Sequence, residues 1–472
     1  MEEGPETSPF RAVFKAYDVR GVVPGELDED MAWAIGAAFA EFAAGDGAER
    51  VVLGRDMRES GVGLSRALAA GVLERGLGVL DAGLASTDLL YFASGKLDAP
   101  GAMLTASHNP ARYNGIKLCR SGARPIGQET GLAEIRELAE SLFGDVPAPP
   151  DREKRLAGDD YERVDLLDDF ATHVRSFLTA ELRPLKVVAD TANGMGGLVA
   201  PAVFAGLPVE LEVLYGELDG SFPNHPADPI QPENLADLRA RILETGADVG
   251  LAFDGDADRV FLVDEKGEPL SGSLTTAIVA VAMLERHPGA TILHNLICSK
   301  AVPEVITEHG GVPVRTRVGH SFIKATMAET GAVFGGEHSG HYYFRDNFRA
   351  DSGIIAALVT LGVMSAAEAP LSELRRPFER YADSGEINTE VADAAGVLAG
   401  VRQRFEAEGA SVDTLDGLTI DLGAWWFNLR PSNTEPLLRL NLEAADPASC
   451  RRRVDDVLDL VQQLDHRTEV RD

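Results

Sequence analysis

The sequence predicts a multidomain α/β fold: three related α/β domains with mixed, βαβ-containing sheets, followed by a smaller α+β domain at the C-terminus. Three observations predict it. A chain of 472 residues that is 45% hydrophobic exceeds what one core usually organises. Three stretches repeat one pattern, an apolar strand-like run, a polar turn, a helical segment and a second apolar run, as parallel strands joined by a crossover helix require. Near residue 385 that pattern gives way to strands joined by turns.

The first unit, "RVVLGRDMRESGVGLSRALAAGVLERGLGVLDAG" from Arg50 to Gly83, sets leucine, alanine and valine at helical spacing between two short β-like runs. The second runs from Leu185 to Leu214 and the third from Ala290 to Gly319. Pro-rich, charged breaks at "FGDVPAPPDREKR" and "AAEAPLSELRRPFERYADSG" read as linkers. They suggest domains at 1–153, 154–268, 269–372 and 373–472. In the last, "GLTIDLGAWWFNLRPSNTEPLLRLNLEA" reads as strands, followed by a helix from about 448 to 464.

Net charge is −31, and of 44 basic residues only eight are lysines. Such a surface repels nucleic acid and anionic membrane, and it fits a halophile-like protein that must stay hydrated in high salt. An anionic substrate would need a local cationic pocket. No apolar run reaches membrane-span length and the first ten residues are acidic, so a cytoplasmic location is expected. Cys119, Cys298 and Cys450 show no metal or disulfide spacing.

"AFDGDADRVFLVDEKG" places Asp254, Asp256 and Asp258 at alternate positions after an apolar run. Three hard oxygen donors so close repel unless a cation such as Mg²⁺ joins them, and Gly255 lets the backbone turn to aim them together. An EF-hand fails because Arg259 stands where that loop needs glycine and "VFLV" reads as strand. A solvated acidic turn is the remaining alternative.

"GAMLTASHNPARYNGIKL" raises a second choice, since Ser107 is either a nucleophile or a helix cap. It is not in a hydrolase elbow. A Mg²⁺ loop, the cation Lys117 and the donor-rich "RPSNTEP" together point to phosphoryl transfer through a phosphoserine. Arg430, Ser432, Asn433 and Thr434 suit a phosphate that is not reacting, or form an ordinary turn.

"TASHNP", "DGDADR", "GEHSGH" and "RPSNTEP", in that order, with "KAYDVRG", "YNGIK" and "VGHSFIK", resemble the signature loops of the α-D-phosphohexomutase superfamily, phosphomannomutase/phosphoglucomutase group. The resemblance covers about 15–442. It implies a central cleft to which each domain gives one loop, and a Ser107 that donates a phosphoryl group to a hexose monophosphate and takes one back from the bisphosphorylated intermediate. Asp254, Asp256 and Asp258 would hold Mg²⁺, with a phosphoserine oxygen on Ser107 as a further ligand. Hexose 1,6-bisphosphate would be both intermediate and activator. Arg259, Lys117 and Arg20 would offset phosphate repulsion, while His108, His341, Lys117 and Arg20 are the acid/base candidates.

The resemblance also gives Tyr17 and His320 substrate-positioning roles, and assigns Glu337 and Ser339 to the sugar's 3- and 4-hydroxyls. Those hydroxyls occupy similar places in two reversed ring orientations, so glucose and mannose, which differ at C2, should both fit. His338 stands where dual-specificity relatives often carry methionine and phosphoglucosamine mutases tend to carry glutamine. That disfavours, without excluding, an amino-sugar substrate. A phosphosugar-binding protein without turnover and a phosphatase are further alternatives, and the expected oligomeric state is monomer or dimer.

Overall fold

The computed structural model describes residues 8–431 and 437–469. Each of the three predicted units forms a parallel strand pair around a helix. Arg50–Arg55 and Gly78–Leu84 flank the helix Ser60–Glu74, Leu185–Asp190 and Val209–Leu214 flank Gly196–Phe204, and Thr291–Asn295 and Val312–Thr316 flank Ala301–Glu308. The fourth sheet is antiparallel throughout, in the order Ala382–Glu390, Leu437–Ala444, Trp425–Pro431, Leu418–Asp421, Ser411–Asp413. The helix Pro447–Glu469 follows it, a few residues longer than its apolar stripe suggests.

Every sheet also contains one antiparallel pair whose connection carries a signature loop. Gly101–Leu104 returns as Tyr113–Arg120 through the serine loop, and Val249–Phe253 returns as Val260–Asp264 through the aspartate loop. Phe334–Gly336 returns as Tyr342–Phe344 through "EHSGH", and Trp425–Pro431 returns as Leu437–Ala444 through 432–436. Four sheets thus present four tips. Val249–Phe253 and Val260–Asp264 are buried at every residue, which anchors the aspartate loop on rigid scaffold.

One apolar cluster runs through the first three domains, joining Val52 and Met103 to Leu251 and Val260 and on to Ile278, Phe334 and Ile355. The fourth domain has its own core around Val397, Phe427, Leu440 and Val461. Polar contacts fasten it to the third: Lys300 Nζ meets Asp421 at 2.7 Å, and the Lys300 N–H donates to Glu443 at 3.0 Å. No single described helix is long and apolar enough to cross a membrane.

Two expectations need correction. The stretch read as a linker contains the helix Pro149–Leu156, because proline opens its first turn and Arg152 is buried with Asp30 at 3.0 Å. The first sheet then takes up Tyr161–Arg163 parallel to Gly78–Leu84, so it runs past residue 153. Proline and charge imitate a linker wherever a helix is short and its one buried side chain is an arginine.

Candidate active site

Ser107 lies at the tip between Gly101–Leu104 and Tyr113–Arg120, and no helix starts there, so it caps none. Its backbone is left-handed at φ 49°, a conformation a non-glycine residue keeps only when its surroundings enforce it. The hydroxyl donates to Asp254 Oδ2 at 2.7 Å, with His108 Nδ1 at 3.2 Å and Arg259 Nη2 at 3.5 Å. Arg259, then burial, depresses the His108 pKa well below its ordinary value, so a neutral ring faces the serine. Arg20 reaches the same loop by donating to Asn109 Oδ1 at 2.6 Å.

Asp254, Asp256 and Asp258 are buried, with ligand atoms within 4.8 Å of one another. Burial, with Asp256 and Asp258 alongside and Arg259 opposing, pushes Asp254 up to about 7. For Asp256 burial acts the same way, but Lys117 more than reverses it and holds that carboxyl below its usual range. Lys117 Nζ is 2.7 Å from both Asp256 and Asp258, and although burial opposes its charge, those two carboxylates hold it an ammonium. Asp256 Oδ1 and Asp258 Oδ1 have no hydrogen-bond partner among the described residues. Buried, crowded oxygens with free lone pairs are the donor set a hard divalent cation requires, and the site fits one.

Gly255 is needed for a different reason from the one its spacing suggested. The left-handed residue of this loop is Ala257 at φ 61°. At Gly255 a Cβ would stand 2.4 Å from the Ser107 carbonyl oxygen, so glycine is what lets the two loops touch. The Thr87 hydroxyl, at the start of the helix Thr87–Leu97, holds Asp256 Oδ2 at 2.6 Å, and its N–H donates to the Asp256 carbonyl at 3.0 Å.

The third tip joins the second through an isolated β-bridge between Arg259 and His341. His341 Nδ1 is 2.9 Å from Asp351 Oδ2 and 3.7 Å from Asp258 Oδ1. Burial disfavours the charged ring, but the two carboxylates outweigh it and raise its pKa. Residues 337–340 form a turn closed by the Gly340 N–H on the Glu337 carbonyl, so Glu337 and Ser339 do not share a face as an extended strand would give. Glu337 is 2% exposed and accepts from Asn295 at 3.1 Å, Gly319 N–H at 3.3 Å and Tyr343 at 2.6 Å. Ser339 is half-buried. His338 packs on Ser273, 3.1 Å away, and lines a small cavity with Trp426 and Glu443 of the fourth domain.

Tyr17 spans from the first domain to the third, its hydroxyl 3.3 Å from the Val318 carbonyl and its ring edge-on to His320. Gly319 sits at φ 124°, where a Cβ would stand 2.8 Å from the Tyr17 ring. Burial pushes the His320 pKa down to about 3. Arg430 lies between Glu386 at 3.5 Å and Asp416 at 3.8 Å, while Ser432, Asn433 and Thr434 fall outside the described residues. Thr87, Asp351 and Lys324, the last 3.1 Å from Asp351, escaped sequence reasoning because lone polar residues carry no motif.

A buried hydroxyl faced by cations and a carboxylate triad is the equipment of a phosphoryl-transfer enzyme. Comparison with known proteins makes the class specific. Family models described as phosphoglucomutase/phosphomannomutase α/β/α domains I, II and III match residues 11–143, 167–267 and 271–381, and the C-terminal domain model matches 386–460. The chain belongs to the phosphoglucomutase/phosphomannomutase family and is a phosphohexomutase.

Among its relatives is a phosphomannomutase of Salmonella montevideo, 41% identical over 457 residues, covering 95% of this chain and 98% of that one. The crystal structure of a phosphoglucomutase/phosphomannomutase family protein from Burkholderia thailandensis is similar at a TM-score of 0.85 and 32% identity, over 96% of this chain and 98% of that one. An Aspergillus fumigatus N-acetylphosphoglucosamine mutase, solved with GlcNAc-6P and magnesium, shares the fold at a TM-score of 0.63 and 13% identity, over 96% of each chain.

Proposed function

We propose that this phosphohexomutase interconverts the 1- and 6-phosphates of mannose and glucose, with Ser107 as the phosphoryl carrier. The observation that carries the reading is the Ser107 hydroxyl itself, buried, left-handed and 2.7 Å from a carboxylate triad that fits a divalent cation. Similarity to the Salmonella phosphomannomutase over nearly the whole chain supports the substrate class.

Asp254, Asp256 and Asp258 would hold Mg²⁺, and a phosphoserine oxygen on Ser107 would be a further ligand. The bound ion supplies charge neutralisation at the phosphoryl oxygens. Arg259, Lys117 and Arg20 complete that neutralisation, which the two phosphate groups need before a sugar hydroxyl can approach. The bond from phosphorus to Ser107 Oγ breaks as one to the sugar oxygen forms; the sugar hydroxyl proton leaves to His341, and the departing Ser107 oxygen, beside Arg259, takes up a proton from water in the cleft. In the return transfer Ser107 gives up that proton and His341 returns its own to the freed sugar oxygen. Asp351 on Nδ1 fixes that ring's orientation, as in other base–carboxylate pairs. Lys117 stays a cation and His108 a neutral neighbour of the serine.

The hexose 1,6-bisphosphate then reverses in the cleft and returns its other phosphoryl group to Ser107. Glu337 and Ser339 take the sugar hydroxyls, Tyr17 and His320 position the ring, and Arg430 with Ser432, Asn433 and Thr434 takes the idle phosphate.

A ³¹P NMR time course with Mg²⁺ and a trace of hexose 1,6-bisphosphate tests this. Mannose 1-phosphate and glucose 1-phosphate convert to their 6-phosphates with wild type and not with Ser107→Ala. Conversion by the alanine variant would refute the carrier role, and inorganic phosphate released as fast as isomerisation would make the enzyme a phosphatase.

A further inference from the structure

Against the backbone of Ser107 lies a guanidinium as buried as the core. Arg58 is 1% exposed, and all five of its N–H donors are engaged. Nε donates to Asp56 Oδ2 at 3.1 Å, and Nη1 donates to the carbonyls of Pro110 and Tyr113, each at 2.9 Å. Nη2 donates to the carbonyls of Ser107 at 2.9 Å and Asn109 at 2.7 Å. Four carbonyls of the one loop that carries the serine converge on a single plane of donors.

The clamp is itself held. Asp56, fully buried, also accepts the Arg58 N–H at 2.9 Å. Phe222 of the second domain lies under the guanidinium at 5.1 Å, and a Cβ on Gly220 would stand 2.6 Å from Arg58 Cα, so the second domain's backbone presses on this point. The domain that carries the aspartates therefore braces the arginine that carries the serine loop. A buried guanidinium is costly unless every donor is met, and an apolar side chain would fill the space more cheaply if packing alone were needed. What an apolar side chain cannot do is turn four carbonyls inward and keep Ser107 at φ 49°.

We propose that Arg58 is a positioning residue for phosphoryl transfer, holding the 107–113 carbonyls so that Ser107 Oγ stands at one point against Asp254 when it gives a phosphoryl group and when it takes one back. This rests on the reading of Ser107 as the carrier. Lysine does not replace it, because three donors around a point charge satisfy Asp56 but not carbonyls on both edges of a plane.

The test uses the full chain with Mg²⁺ as wild type, Arg58→Lys and Phe222→Leu. Intact mass after incubation with glucose 1,6-bisphosphate reads the phosphoryl group on Ser107, steady-state kinetics on glucose 1-phosphate read kcat and KM, and melting reads the fold. A serine displaced by about 1 Å costs about 100-fold, so Arg58→Lys takes up the phosphoryl group slowly and loses about that much kcat. KM stays within about twofold, because the sugar is gripped by other loops; a merely structural loss would lower the folded fraction or raise KM instead. Phe222→Leu shows the same split more weakly.

A folded Arg58→Lys with wild-type kcat overturns the proposal. If that variant does not fold, Phe222→Leu decides it: lowered kcat at constant KM supports the clamp and unchanged kcat overturns it. Wild type that takes up no phosphoryl group on Ser107 overturns the carrier reading and the proposal together. That result is distinct from a charged wild type beside a fast lysine variant.

Discussion

Gly255→Ala is a sharp test of how the serine and aspartate loops meet. The added Cβ would lie 2.4 Å from the Ser107 carbonyl oxygen and 3.3 Å from its carbon, whereas ordinary contact begins at 3.4 Å. Both partners are backbone, so no rotamer relieves the clash and the loops must part by about 1 Å. The 2.7 Å bond from Ser107 Oγ to Asp254 then stretches beyond hydrogen-bond range. A misplacement of about 1 Å costs about 100-fold in rate, or about 2.7 kcal/mol of barrier, beside about 1–3 kcal/mol of lost stability from overpacking. The assay is kcat and KM for hexose 1-phosphate in a coupled spectrophotometric format, with melting in parallel. KM should hardly move, since the residues proposed to take the sugar hydroxyls and the idle phosphate, Glu337, Ser339 and Arg430, lie outside both loops. A folded alanine variant with kcat within about twofold of wild type would refute the claim that contact between these loops sets the reacting geometry.

Asp256→Asn and Asp258→Asn each remove one of the lone-pair-bearing carboxylates, so Mg²⁺ affinity by calorimetry falls by more than the roughly 10–100-fold that loss of an outer-sphere partner costs. Unchanged affinity would mean that the ion binds elsewhere. EDTA treatment should stop turnover and added Mg²⁺ restore it. Asp88, buried where the Ser86 and Ser352 hydroxyls donate to it, is pushed up to about 7 by burial, while an unfolded aspartate titrates near ~3.9. Between those values the folded chain binds the extra proton, so stability declines as pH rises from ~4 to about 7 and levels off above. Asp88→Asn removes that decline: its melting temperature gains on wild type from pH ~5 to ~8, and parallel curves would contradict the assignment.

The periodic parts of this chain could be read directly. Leucine and alanine at helical spacing between apolar runs gave all three parallel strand pairs, and "VFLV" was a strand because the residues around it are buried on both faces. The signature loops were found because reactive residues crowd into a few positions. Missed features have their cause far away in the chain. Arg58 sits in "GRDMRES", an ordinary turn until its carbonyl partners 49 to 55 residues on are folded against it. The orientation of Glu337 was hidden for the same reason, since the three donors that hold its carboxylate, from Asn295, Gly319 and Tyr343, lie outside its motif. Gly255 was rightly singled out, but its reason lies in another domain's backbone.

Because every signature loop caps an antiparallel strand pair of its own sheet, the molecule separates what must be conserved from what is free to diversify. The first two tips meet by backbone contact at Gly255 and tolerate little change. The third is bridged to the second at Arg259 and His341, and the third and fourth domains meet through polar bonds such as those of Lys300 with Asp421 and Glu443. A combinatorial library confined to residues 338, 339 and 432–434 would therefore explore new sugars on the proposed reading, with Gly340 left fixed because its φ is 86° and a Cβ there would stand 2.6 Å from the Phe261 ring.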